Sequence, residues 1–225
     1  MILFLFSGGV ESTVLLKYFL KDTKQIIHVL YTKLGYDEIV KLGKPEQDKA
    51  SKNVLEYLKN KYRDFNYSSL ELNLNNINRT QQLQKGFGFD EQWNLFFAGM
   101  YAKINNIKDI WLGEFSYCNT HSTKTRGYPA WWYHDGTLEK YALLGTCLDF
   151  NFFKDLKINF PSKNFNKKGI DSFSSKKEAF NYLEPELKVL VRSCQGKEKF
   201  CGKCSKCIQY KELEITDKNG NILLK

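Results

Sequence analysis

The hydrophobic pattern switches repeatedly between two periods along the chain. Met1–Phe6 and Ile26–Tyr31 are continuous apolar runs, the second reading as a strand buried on both faces, and Tyr67–Leu74 alternates as a third strand would. Helical spacing occupies Ser12–Leu20, Glu46–Lys61 behind Pro45, and Asp90–Asn105. Ile110–Gly113 and Leu156–Phe160 supply a fourth and fifth strand, Leu138–Leu144 reads as helix, and Ser174–Leu190 as a helical region broken near Pro185. Strands and helices in alternation predict a doubly wound α/β fold with a mostly parallel sheet, whose right-handed crossovers bring the strand ends to one edge. Glu114–Thr137 forms a long loop of polar and aromatic residues, and loops of that length in compact domains usually serve a function. There is no internal repeat. The pattern divides into an α/β domain over residues 1–190 and a small carboxyl-terminal segment over 191–225.

The first strand breaks at once into Ser7-Gly8-Gly9-Val10-Glu11-Ser12-Thr13, after which the helix begins. Adjacent glycines let the backbone turn tightly and aim its N–H groups at an anion, and the helix start adds further donors and a positive dipole end. Ser7, Ser12 and Thr13 bring hydroxyls to the same point, so the turn reads as a phosphate cradle. It lacks the Gly-Lys-Ser/Thr of a Walker A loop and the third glycine of a dinucleotide fingerprint. The plainer alternative is a bend whose glycines supply curvature alone. Position favours the cradle, because open parallel sheets place ligands at the carboxyl ends of their strands.

Composition narrows the partners. With 225 residues and 42% hydrophobic content the chain can bury a full core, and no apolar stretch approaches a membrane span. Met1 leads into a core strand with no basic segment or cleavage site, so the expectation is a soluble, cytoplasmic protein. The net charge of +9, from 34 basic and 25 acidic residues, suits an anionic partner such as a nucleotide or nucleic acid. A lysine-rich solvated surface gives the same balance.

Four of the six cysteines crowd the end as Cys194, Cys201, Cys204 and Cys207. Two-residue gaps let thiolates converge on one ion, with Gly202 easing the turn, so the spacing reads as a knuckle for structural zinc. An iron–sulfur cluster is the competitor, but the fourth cysteine lies upstream and no Cys-Pro follows. Lys199, Lys203 and Lys206 would offset the thiolate charge. Cys118 and Cys147 read as small core or loop residues, and His28 as a satisfied core residue.

Together the two motifs resemble one family. Ser7 to Thr13 resembles the SGGxDS loop of the PP-loop ATP pyrophosphatases, the adenine nucleotide α-hydrolase-like superfamily. Ser193-Cys194 with Cys201-Gly202-Lys203-Cys204-Ser205-Lys206-Cys207 is similar to the zinc segment of the 7-cyano-7-deazaguanine (preQ0) synthases of queuosine biosynthesis, the QueC family. Trp93-Asn94-Leu95-Phe96-Phe97 sits where that family has Arg-Asn-x-x-Phe, and Ser175-Lys176-Lys177-Glu178 resembles its Thr-Lys-x-Glu stretch. Glu11 replaces the loop aspartate and Trp93 the arginine. Tyr31 is followed by Thr32-Lys33-Leu34-Gly35 in place of the family's substrate segment, and the long loop keeps only Gly127-Tyr128-Pro129-Ala130-Trp131.

The resemblance implies an ATP-dependent carbon–nitrogen ligase that releases AMP and pyrophosphate. It would activate 7-carboxy-7-deazaguanine or an analogue by adenylation and convert it with ammonia to the amide and nitrile. Phe6, Ser7, Gly8, Gly9, Val10, Glu11, Ser12, Thr13 and Lys176 would bind ATP, with Glu11 and Ser12 at the catalytic centre and Glu11 meeting Mg²⁺. A solvated lysine is the alternative for Lys176. Cys194, Cys201, Cys204 and Cys207 would hold zinc, and the assembly would be a homodimer. Trp131, Trp132, Tyr133 and His134 are candidates to stack on a purine-like base, and His121 and Arg126 to meet a carboxylate. Two other readings stay open: a PP-loop ATPase that modifies a nucleic acid or protein terminus, and an inactive relative that keeps ATP or zinc.

Overall fold

The computed structural model describes residues 1–35, 44–73, 90–113, 155–159, 173, 175–192, 201–202, 205–217 and 221–223. Among them five strands and six helices follow one another as β1 (Ile2–Phe6), α1 (Val10–Asp22), β2 (Ile27–Gly35), α2 (Lys44–Lys61), β3 (Asn66–Asn73), α3 (Asp90–Ile104), β4 (Asp109–Leu112), β5 (Lys157–Asn159), α4 (Lys176–Asn181), α5 (Pro185–Leu190) and α6 (Ser205–Glu212). The strands form one sheet in the order β3-β2-β1-β4-β5, and every pairing is parallel. Strand order reverses between β1 and β4, which makes the carboxyl edge between them the topological switch point. The expected helix at Leu138–Leu144 and the Glu114–Thr137 loop, with its aromatic and His121/Arg126 candidates, lie outside the described residues, as do Cys118 and Cys147.

The period-2 alternation of β1 explains the two layers of core. Ile2, Phe4 and Phe6 face one way, into a cluster with Val14, Leu15, Phe19, Val54, Leu58, Phe180 and Leu187, drawn from α1, α2, α4 and α5. Leu3 faces the other way, onto Leu95, Ala98 and Ala102 of α3. His28 shares that second face, where its Nε2 stands 3.0 Å from the Ser68 hydroxyl and 2.8 Å from that of Tyr101, so its polar atom is satisfied within the fold.

Most boundaries lie within one or two residues of the sequence expectation, and two of the differences bear on the site. Strand β2 runs on to Gly35, past the apolar run that defines Ile26–Tyr31, because Thr32 to Gly35 continue the ladder against Leu70 to Asn73 of the edge strand. Helix α1 begins at Val10, so Ser12 and Thr13 sit inside its first turn. The break near Pro185 separates α4 from α5, with Pro185 in the first turn of α5, where its missing N–H costs nothing.

The carboxyl-terminal segment shares the main core. Tyr210 of α6 and Ile215 are fully buried in the same cluster as Phe4, so residues beyond 190 pack on the α/β domain itself. Helix α1 is tied to this side of the molecule through Lys17, whose buried ammonium donates to the Tyr182 carbonyl at 2.5 Å and lies 3.1 Å from the Glu184 carboxylate. Burial lowers the Lys17 pKa despite that partner. The Glu184 carboxylate also accepts from the Tyr62 hydroxyl. Among the described residues no helix is long and apolar enough to cross a membrane.

Candidate functional site

Leu5 pairs with Leu112 at the ends of β1 and β4, so the Ser7–Gly9 turn and Gly113 leave the sheet side by side. Gly8 adopts φ +75°, a conformation that side chains disfavour, and a Cβ there would stand 2.1 Å from the Ser51 Oγ of α2. A Cβ on Gly113 would lie 2.6 Å from the Cα of Ser12, so β4 meets the first turn of α1 backbone to backbone. From the far end of the chain, the Arg192 N–H donates to the Gly8 carbonyl at 3.2 Å. The turn is thus gripped by three segments remote from it in sequence.

Its hydroxyls are organised around the turn. The Ser7 and Ser12 hydroxyls lie 3.0 Å apart, and the Ser7 hydroxyl accepts from the Gly9 N–H at 3.4 Å. Ser12 and Thr13 both donate to the Gly9 carbonyl, at 3.2 and 2.7 Å. Thr13 is fully buried and braces the turn from inside, whereas Ser7 is exposed at its mouth. No side chain caps α1 at Gly9. A helix start presents N–H groups that have no carbonyl one turn back, and they are the natural donors for an anion. Phe6 and Val10, also expected at the nucleotide, are buried beneath the turn and shape it from the core side.

Lys176 is 1% exposed, and its ammonium lies 2.9 Å from Glu11 Oε1. That burial sets aside the alternative of a solvated lysine. Ser175 caps α4 by accepting from the Glu178 N–H, which fixes the backbone from which Lys176 departs. The ammonium also donates to Gln209 Oε1 at 3.3 Å and stands 5.1 Å from the centre of the Tyr210 ring, both on α6. Glu11 is long enough to meet Lys176 from the first turn of α1, which gives the departure from aspartate a physical role.

Beside the turn, the Tyr31 hydroxyl donates to Asp48 Oδ1 of α2 at 2.5 Å. Burial, aided by Asp48, pushes the Tyr31 phenol far above its usual range and keeps it a neutral donor. The Ser51 contact had a sequence signal: Ser51, Val54, Leu55 and Leu58 form one stripe of α2, and a small polar residue in an apolar stripe marks close approach. Arg192, Gln209 and Tyr210 carry no comparable pattern. Trp93 lies within α3, but its side chain is outside the described residues.

Two of the four expected metal ligands, Cys194 and Cys204, lie outside the described residues, and no group of three candidate ligands falls among those described. The other two meet. The sulfurs of Cys201 and Cys207 lie 3.9 Å apart. Two sulfurs on one tetrahedral zinc, each at about 2.3 Å, stand about 3.8 Å apart, so this pair fits a shared ion. Gly202 turns at φ +71°, and a Cβ there would lie 3.2 Å from the Lys211 ammonium, which places a cation against the residue that follows Cys201. Of the lysines expected in that role, Lys199 and Lys203 and the side chain of Lys206 fall outside the described residues.

Fold and site together define a doubly wound α/β domain with a glycine turn, serine hydroxyls and a helix start at its switch point. No family model matches the chain, and no curated protein matches it. Among solved structures, the chain is similar to NMN synthetase from Francisella tularensis at 13% identity and a TM-score of 0.45, covering 95% of this chain and 74% of that one.

Proposed function

We propose that the chain is a PP-loop enzyme that binds ATP at the Ser7–Thr13 turn and splits it to AMP and pyrophosphate while activating a carboxylate. The observation that supports this reading best is the Gly8 turn, held at positive φ under the start of α1 and bounded by the buried Lys176–Glu11 pair. A carboxylate repels nucleophiles, so it is first made an acyl adenylate: its oxygen attacks the α-phosphorus and pyrophosphate leaves. Preorganised N–H groups at Gly8, Gly9 and the helix start suit the charge that develops on that leaving group. The Ser7 hydroxyl would bind its oxygens, Lys176 would neutralise them, and Ser12 would hold Ser7 in register. Mg²⁺ arriving with ATP would meet the Glu11 carboxylate and offset phosphate charge there.

The acceptor favoured by the sequence resemblance is 7-carboxy-7-deazaguanine, with ammonia as nucleophile. Ammonia adds to the acyl carbon, AMP leaves and a proton is lost, giving the amide. The amide oxygen then attacks the α-phosphorus of a second ATP, pyrophosphate and one N–H proton leave, and departure of AMP with the last N–H proton gives the nitrile. Positioning carries most of the catalysis. Zinc on Cys194, Cys201, Cys204 and Cys207 would be structural, since a fully thiolate centre keeps no open position, and the Cys201–Cys207 spacing supports it.

Incubation with ATP, Mg²⁺, ammonia and 7-carboxy-7-deazaguanine is expected to yield AMP, pyrophosphate and the nitrile. Absence of AMP above background with that acceptor and with added nucleic acid or protein overturns the enzyme reading and leaves an inactive ATP-binding relative. AMP released only when nucleic acid or a protein is supplied moves the acceptor to that class.

A further inference from the structure

The Lys176 ammonium is shared between two regions. It reaches Glu11 in the first turn of α1, and it is held from behind by Gln209 and Tyr210 of α6. That helix also carries Cys207, three residues before Tyr210 and therefore on the same face, and both side chains are fully buried. The next turn brings the Lys211 ammonium to Gly202, the residue after Cys201. A second contact binds the same two helices, since Lys177 Nζ lies 2.8 Å from Glu214 Oε2 just beyond α6. Helix α6 is short, at eight residues, and a helix of that length takes its stability from what pins it. One end is pinned by the thiol pair and the other by the Tyr210 core contact.

We propose that α6 is a lever between two binding sites: a metal ion held by Cys201 and Cys207 fixes α6, α6 fixes Lys176 through Gln209 and Tyr210, and Lys176 then meets the nucleotide in an ordered position. Gln209 and Tyr210 are positioning residues in this scheme. Metal and ATP accordingly strengthen each other's binding, because ordering of α6 and Lys176 by one ligand spares the other that cost. The coupling is reciprocal by linkage, so the factor must be equal in both directions. The inference rests on the ATP reading given above.

The test titrates ATP into zinc-loaded and chelator-stripped wild type, and zinc into stripped protein with and without saturating ATP. Each ligand is expected to tighten the other by the same factor, about fivefold or more. Gln209→Ala should still take up zinc yet bring that factor close to one, and Gln209→Glu, which keeps an acceptor for Lys176, should retain it. Equal ATP affinity in loaded and stripped protein of unchanged far-UV circular dichroism overturns the lever, as does an undiminished factor in Gln209→Ala. If stripping unfolds the chain, the comparison is made on loaded protein alone: Gln209→Ala must bind ATP about fivefold more weakly than wild type, and unchanged binding overturns the inference. ATP binding by a chain that takes up no zinc overturns the lever and leaves the nucleotide reading standing. Zinc-loaded wild type that binds no ATP overturns both.

Discussion

Glu11 Oε1 and Lys176 Nζ, 165 positions apart in sequence, meet at 2.9 Å beneath the mouth of the glycine turn. The lysine side chain is 1% exposed and the glutamate 16%, so the carboxylate supplies the neutralisation that water cannot bring to the ammonium. Removing one partner of such a pair leaves an uncompensated buried charge. Glu11→Gln is expected to lower stability by about 3 kcal/mol in urea unfolding, and Glu11→Gln with Lys176→Met to recover most of that loss without recovering ATP binding. Glu11→Asp should also destabilise, since it retracts the carboxylate by one methylene. A double variant no more stable than the single one would show that the pair is not the reason.

Gly8→Ala tests the turn. The positive φ and the 2.1 Å approach of Ser51 Oγ both oppose a methyl group there, and a loss of about 2 kcal/mol is expected together with loss of ATP binding. Adding Ser51→Gly removes the clash and leaves the φ penalty, so it should return only part of the stability. Full recovery in the double variant would mean that backbone conformation has no share.

Acid sensitivity should centre on Glu184. Burial alone would raise its carboxyl, but hydrogen bonds from Tyr62 and Lys17 outweigh that and hold it below its ordinary 4.5. A carboxyl depressed in the folded state stabilises fully above the unfolded value and loses that contribution as pH falls through the folded one. Urea midpoints should therefore drop below about pH 4, and Glu184→Gln should flatten the decline. The substitution itself costs roughly 2 kcal/mol at neutral pH, less than a fully buried pair because Glu184 keeps some solvent. At the alkaline end, Tyr182 is pushed up to about 12, chiefly by burial, and a phenol so raised stabilises below its unfolded value and loses that as pH climbs through 12. An acid slope identical in Glu184→Gln and wild type would assign it to other carboxyls.

Purified protein should contain one zinc per chain, and Cys207→Ser should lose it along with much of the thermal stability of the carboxyl-terminal segment. Elemental analysis and a thiol titration with and without chelator read both effects. A brown protein with iron and sulfide would replace zinc by a cluster.

The alternation of apolar runs and helical stripes was sufficient to read the succession of elements from β1 to α5 among the described residues, because buried parallel strands and amphipathic helices declare themselves in period and length. It stopped β2 at Tyr31, since Thr32 and Lys33 break the apolar run although an edge partner continues the ladder there. Helix α6 was hidden inside the cysteine spacing, which reads as ligands and masks a short helix whose apolar content is little more than Ile208 and Tyr210. The glycine turn was visible because its residue types are demanded locally. The hold on Lys176 was not, because it comes from Glu11, Gln209 and Tyr210, which only the folded chain brings together.

The hydrogen bond from Arg192 to Gly8 joins the seventh and eighth residues' turn to a segment near the far end of the chain. Such a contact closes a loop spanning most of the polypeptide, and long-range closures form late in folding. A nascent chain that has not yet reached Arg192 would carry the glycine turn in its sequence but not in working shape. If the turn binds ATP as proposed, nucleotide binding would then begin only once synthesis has passed Arg192, and bound ATP would raise the stability of the domain as a whole.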